Sequence, residues 1–77
     1  MASMALTDSM FKLATRTVQL ATQAPGILSV LEAETLYLVV DRGLDFGPEA
    51  RVTAEEWAMI TDVHCALVKH LADEVPA

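Results

Sequence analysis

The chain has 77 residues, 53% of them hydrophobic and 21% charged, with eleven acids against five bases for a net charge of −6. A chain this short buries only about 60% of its unfolded surface, so it holds one small domain and excludes an enzyme with its own cofactor domain. Its Leu, Val, Ala and Ile content excludes a disordered chain, and its acidity argues against binding to phosphate backbones or anionic membrane surfaces.

The start, Met1-Ala2-Ser3 ahead of Met4, reads as a remnant of an expression vector and is expected to lie outside the fold, leaving 4–77 as one helical domain. The opening residues lack the basic and apolar regions of a signal peptide. The single cysteine, Cys65, cannot form an internal disulfide, which fits a reduced, cytoplasmic protein. The apolar runs are broken by Ser29, Glu32, Glu34, Asp41 and Arg42 well before the roughly 18 residues of a membrane span.

A first helix is predicted over about 7–24. Leu6, Met10, Leu13, Thr17, Leu20 and Ala24 alternate by fours and threes and share one face, widened by Ala14 and Ala21. Lys12, Arg16, Gln19 and Gln23 fall on the wet side. Thr7 or Asp8 is the expected N-cap, and Pro25-Gly26 the stop. Thr15, Thr17 and Thr22 lower the intrinsic propensity, so packing must supply much of the stability.

The second segment, 27–42, has apolar residues around nearly its whole circumference, from Ile27 and Leu28 to Val39 and Val40. A helix apolar all round is buried on all sides. Two neighbouring helices cannot cover a central one, so the chain is expected to be dimeric or partner-bound. Thr35 to Val40, with its β-branched and aromatic residues, also admits a strand. Helix is favoured because Leu31-Glu32-Ala33-Glu34 leads into it and Gly43 stands where a C′ glycine belongs. The connection that follows carries Leu44 and Phe46, expected to plug the end of the core.

A third helix is predicted over 53–73. Thr53-Ala54-Glu55-Glu56 is a capping box, and Val52 with Trp57 forms a hydrophobic staple around it. Trp57, Ile60, His64, Leu67 and Leu71 make the inner stripe, flanked by Val63 and Val68, and Met59 falls on the outer one. The expected architecture is all-α: a small three-helix domain with the middle helix sandwiched between the others.

No constellation supports catalysis, a metal or a cofactor. His64 and Cys65 project about 100° apart on a helix and cannot form a Cys–His pair. His64 and His70 lack the i, i+4 spacing of a zinc site. His64 reads as a core-edge histidine, Cys65 as a small buried hydrophobe, and His70 as a solvated neighbour of Asp73 and Glu74. Gly43 and Gly47 stand alone, with no phosphate loop. A helix-turn-helix reader has the right size, but the last helix offers Lys69 alone among acids, and phosphate repulsion should defeat it.

What remains is surface. Tyr37 and Leu38, between Glu34 and Asp41, suggest an apolar centre with an acidic rim, the usual form of a hot spot; the competing reading makes both ordinary core residues. Met59, between Glu55 and Asp62, is a weaker second candidate that also reads as a scattered exposed residue. Charge is uneven: residues through Leu31 carry +1 and those from Glu32 onward −7, which could favour a homodimer. The expectation is a small, acidic, non-catalytic cytoplasmic regulator that masks a protein partner. A basic one, such as a DNA-binding transcription factor, would make it an antiactivator. A structural or oligomerisation subunit is the alternative, and a helix-turn-helix-like nucleic-acid binder a more distant one.

Overall fold

The computed structural model describes residues 3–24 and 26–74. The elements are β1 (Ser3–Ala5), α1 (Asp8–Gln23), α2 (Val30–Phe46), a single 3₁₀ turn (Gly47–Glu49), β2 (Arg51–Thr53) and α3 (Ala54–Glu74). The fold is the expected small three-helix domain, with a two-stranded sheet added. Each helix packs on both of the others, so α2 is one side of a three-way arrangement rather than a layer between two helices.

α1 is capped by Thr7, whose hydroxyl accepts from the Met10 N–H at 3.2 Å. Its buried residues are Ala14 and Thr17, with Met10, Phe11 and Val18 packed beside them. Thr17 is tolerated at full burial because its hydroxyl donates to the Leu13 carbonyl at 2.7 Å.

α2 is helical throughout Thr35 to Val40, but both of its ends differ from the sequence reading. It begins at Val30, because Ser29 and Glu32 form a reciprocal cap. The Glu32 N–H donates to Ser29 Oγ at 3.2 Å, and the Ser29 N–H donates to Glu32 Oε1 at 2.9 Å. Ile27 and Leu28 therefore precede the helix. At the other end α2 runs past Gly43 to Phe46 and stops at Gly47, whose φ of 55° suits glycine. Gly43 has a different use: a Cβ there would overlap the edge of the Phe11 ring and sit 3.1 Å from Leu6 Cδ2. Its missing side chain lets α2 approach the start of α1.

The box at the start of α3 is present as expected. The Thr53 N–H donates to Glu56 Oε1 at 2.9 Å, and the Glu56 N–H donates to Thr53 Oγ1 at 3.1 Å. Val52 is buried and Trp57 packs against the same cluster. Glu56 also receives a forked hydrogen bond from Arg42, at 2.9 and 3.1 Å, while Arg42 Nη1 donates to the Arg51 carbonyl at 2.9 Å. One carboxylate thus joins α2 to the start of α3.

The sheet is antiparallel, with Ser3 opposite Thr53 and Ala5 opposite Arg51. Ser3, set aside in the sequence reading, is in register here and accepts from the Arg51 guanidinium through Oγ at 2.9 Å and through its carbonyl at 2.7 Å. Met1 and Ala2 lie outside the described residues, as do Pro25 and the side chains of Asp73 and Glu74 that were expected beside His70.

The core has two parts. Leu6, Ala14, Leu36, Val39, Ala50, Val52 and Ile60 form one cluster, and Ala24, Val63 and Leu67 the other. Leu28, in the turn between α1 and α2, packs on both.

Candidate protein-binding face

Two buried residues, Leu36 and Val39, are all that α2 commits fully to the core. At about 100° per residue they define one narrow direction, and the apolar residues pointing elsewhere remain in solvent. Tyr37 is 46% exposed, Leu38 58%, Leu31 63%, Leu44 69% and Val30 76%. The helix is apolar on most sides but covered on only one, so Tyr37 and Leu38 are surface residues.

Their arrangement differs from an apolar centre with an acidic rim. Val30, Tyr37 and Leu44 recur every seventh residue and form one row along the helix, about 10 Å apart at 1.5 Å rise per residue. Leu31 and Leu38 form a second row about 100° round from the first. Glu34 and Asp41, both exposed, fall between the two, while Asp45, also exposed, continues the second row past Leu38. Glu34 and Asp41 are the central ridge and the apolar residues its flanks.

Among the described residues the ion pairs are Lys12–Asp8 at 3.1 Å and Arg42–Glu56 at 2.9 Å. Glu34, Asp41 and Asp45 take part in neither pair. Glu56 behaves differently: the Arg42 hydrogen bond lowers its carboxyl from an ordinary value of 4.5 to about 2, helped by the Thr53 N–H and opposed by partial burial.

Leu44 and Phe46 do not plug the core. Because α2 continues to Phe46, both are carried on its last turn, and Phe46 is also exposed. Met59 lies half-buried against the Ala24, Val63 and Leu67 cluster, at the rim of the core. On α3, His64 is half-buried at the core edge, whereas Cys65 is exposed and not buried as a small hydrophobe.

Two open clefts flank α2. One, of about 300 Å³, is lined by Leu6, Thr7, Asp8, Phe11, Gly43, Gly47 and Pro48; Asp8 is its single ionisable residue and is engaged by Lys12. The other, of about 260 Å³, lies where the end of α1 meets Ala33 and Tyr37. In the first, the Thr7 hydroxyl is also engaged, as the cap of α1. Among the described residues no three His, Cys, Asp or Glu side chains are grouped to hold a metal ion, and no helix is long and apolar enough to cross a membrane.

Val30, Leu31 and Asp45 join the face without having been assigned a surface role in the sequence reading, and Leu44 joins it in place of the core-plugging role expected of it. The seven-residue recurrence of Val30, Tyr37 and Leu44 was the available signal, masked by the apolar residues around it. No protein-family model, curated protein or solved structure matches the chain.

Proposed function

We propose that this chain is a small non-catalytic cytoplasmic regulator that binds a protein partner through the outer face of α2 and masks it. In its concrete form it is an antiactivator of a DNA-binding transcription factor. The observation that carries this reading is the exposure of both apolar rows of one helix in a domain of only 77 residues. Exposed large apolar side chains gathered on one helix face mark interaction sites, and large apolar and aromatic side chains contribute most at such sites.

Charge supports a partner that handles nucleic acid over direct binding to it. Lys12 is engaged by Asp8, Arg42 by Glu56, and Arg51 by Ser3. Three of the five bases are thus already committed, in a chain of net charge −6.

The test is affinity capture from the native cell with the intact chain, beside Tyr37→Asp and Leu38→Asp variants whose folding is verified by circular dichroism. The expected result is a DNA-binding protein enriched by the wild type, at least about tenfold less by either variant, and displaced from its DNA when the wild type is added. Equal capture by the variants removes α2 as the binding face. Concentration-dependent self-association with no captured protein would make the chain a structural subunit instead.

A further inference from the structure

We propose that the element docked by α2 is a basic amphipathic helix, with arginines along a central row and apolar residues on both sides of it. This rests on the reading of α2 as the binding face and adds the class of partner segment that it takes.

The pattern of the face carries the inference. An acidic ridge of Glu34 and Asp41 runs between the Val30–Tyr37–Leu44 row and the Leu31–Leu38 row, and Asp45 extends the acidic surface at the end of the second row. Among the described residues no ion pair engages the ridge. Whatever covers the apolar rows must also cover the ridge, and burying carboxylates without a counter-charge is strongly unfavourable.

A second copy of the chain is the natural rival, and the same ridge opposes it. Antiparallel pairing of two α2 helices about a centre between Tyr37 and Leu38 sets Glu34 of each copy against Asp41 of the other. Parallel pairing sets each acid against its own equivalent. Both arrangements juxtapose like charges on a surface being dried, which costs affinity and selects against the wrong partner.

A helix carrying arginine in its central row answers both needs. The planar guanidinium forms forked hydrogen bonds with carboxylates, as Arg42 does with Glu56 inside this fold. The methylene stem of arginine covers neighbouring apolar surface. Apolar residues beside the arginines then meet the two flanking rows. The acids are spaced by seven and four residues, so basic residues recurring by sevens and fours on the partner keep one register.

The probe is a labelled helical peptide of about 21 residues, with arginines in one row at seven- and four-residue spacing and leucines on both sides. Its counterpart carries glutamate in place of each arginine. Binding to the full chain is followed by fluorescence anisotropy. The arginine peptide is expected to bind at least tenfold more tightly than the glutamate peptide. Asp41→Arg is expected to narrow or reverse that preference, a gain for the glutamate peptide that unfolding cannot imitate.

Equal binding of the two peptides, lost in Leu38→Asp, would overturn the basic-helix assignment and leave α2 as an apolar docking face. Arginine-peptide binding untouched by both Asp41→Arg and Leu38→Asp would overturn the assignment and the face together. Failure to bind either peptide, with a dimer in sedimentation that Leu38→Asp dissociates, would show that a second copy covers the face.

Discussion

Gly43 shows how far one residue can be misread when its surroundings are unknown. Next to a run of apolar helix-formers it has the look of a C′ glycine, yet it lies inside α2, with the Phe11 ring where a side chain would stand. Helix propensity alone predicts that Gly43→Ala stabilises by about 1 kcal/mol. Overpacking at a close contact costs about 1–3 kcal/mol. The expected outcome is a net loss of about 1 kcal/mol in urea unfolding, partly recovered when Phe11→Leu is added; a gain in stability would show that the ring simply moves aside. Cys65 teaches a similar lesson. A small residue between His64 and Ala66 carries no local mark of whether its side of the helix will be covered, and it is exposed.

At the scale of elements, the most legible feature was the start of α3, because a capping box is local chemistry: its hydrogen bonds span three residues and need no tertiary context. The equivalent box at Ser29 and Glu32 was just as local, but it sat inside an apolar run that drew the helix start forward to Ile27. Glu56 adds what local reading could not supply, the forked bond from Arg42 on another helix. This junction should respond to acid. Glu56 has a lowered pKa in the fold, so its contribution is complete above about pH 4.5 and is lost as pH falls toward about 2. Both side chains are partly solvated, so the contribution is about 1 kcal/mol. Urea midpoints measured from pH 6 to pH 2 should show wild type more stable than Glu56→Gln at the upper end and the two converging at the lower. A constant difference across that range would place the role of Glu56 in packing instead of charge.

For the whole molecule, the excess of apolar residues in the middle segment was readable from the sequence, while its division between core and surface was not. Leu36 and Leu38 are two residues apart on one helix, yet Leu36 is 1% exposed and Leu38 58%. Only the placement of α1 and α3 separates them. Leu36→Ala should therefore cost about 2–5 kcal/mol, whereas Leu38→Ala should stay within about 0.5 kcal/mol, both read from urea denaturation of the free chain. Comparable losses would mean that Leu38 is covered in solution. The strands were illegible for a physical reason: Ser3–Ala5 and Arg51–Thr53 are three residues each, too short for alternation to register, and stable only because the helices bring them together.

That pairing also bears on the order in which the molecule assembles. Hairpin contacts between α1 and α2 close short loops, whereas β1 reaches β2 through partners such as Ser3 and Arg51, 48 residues apart in the chain. Loop closure over that distance is entropically dearer than turning between adjacent helices. The ribbon is thus suited to form late, as a latch drawn across helices that have already met.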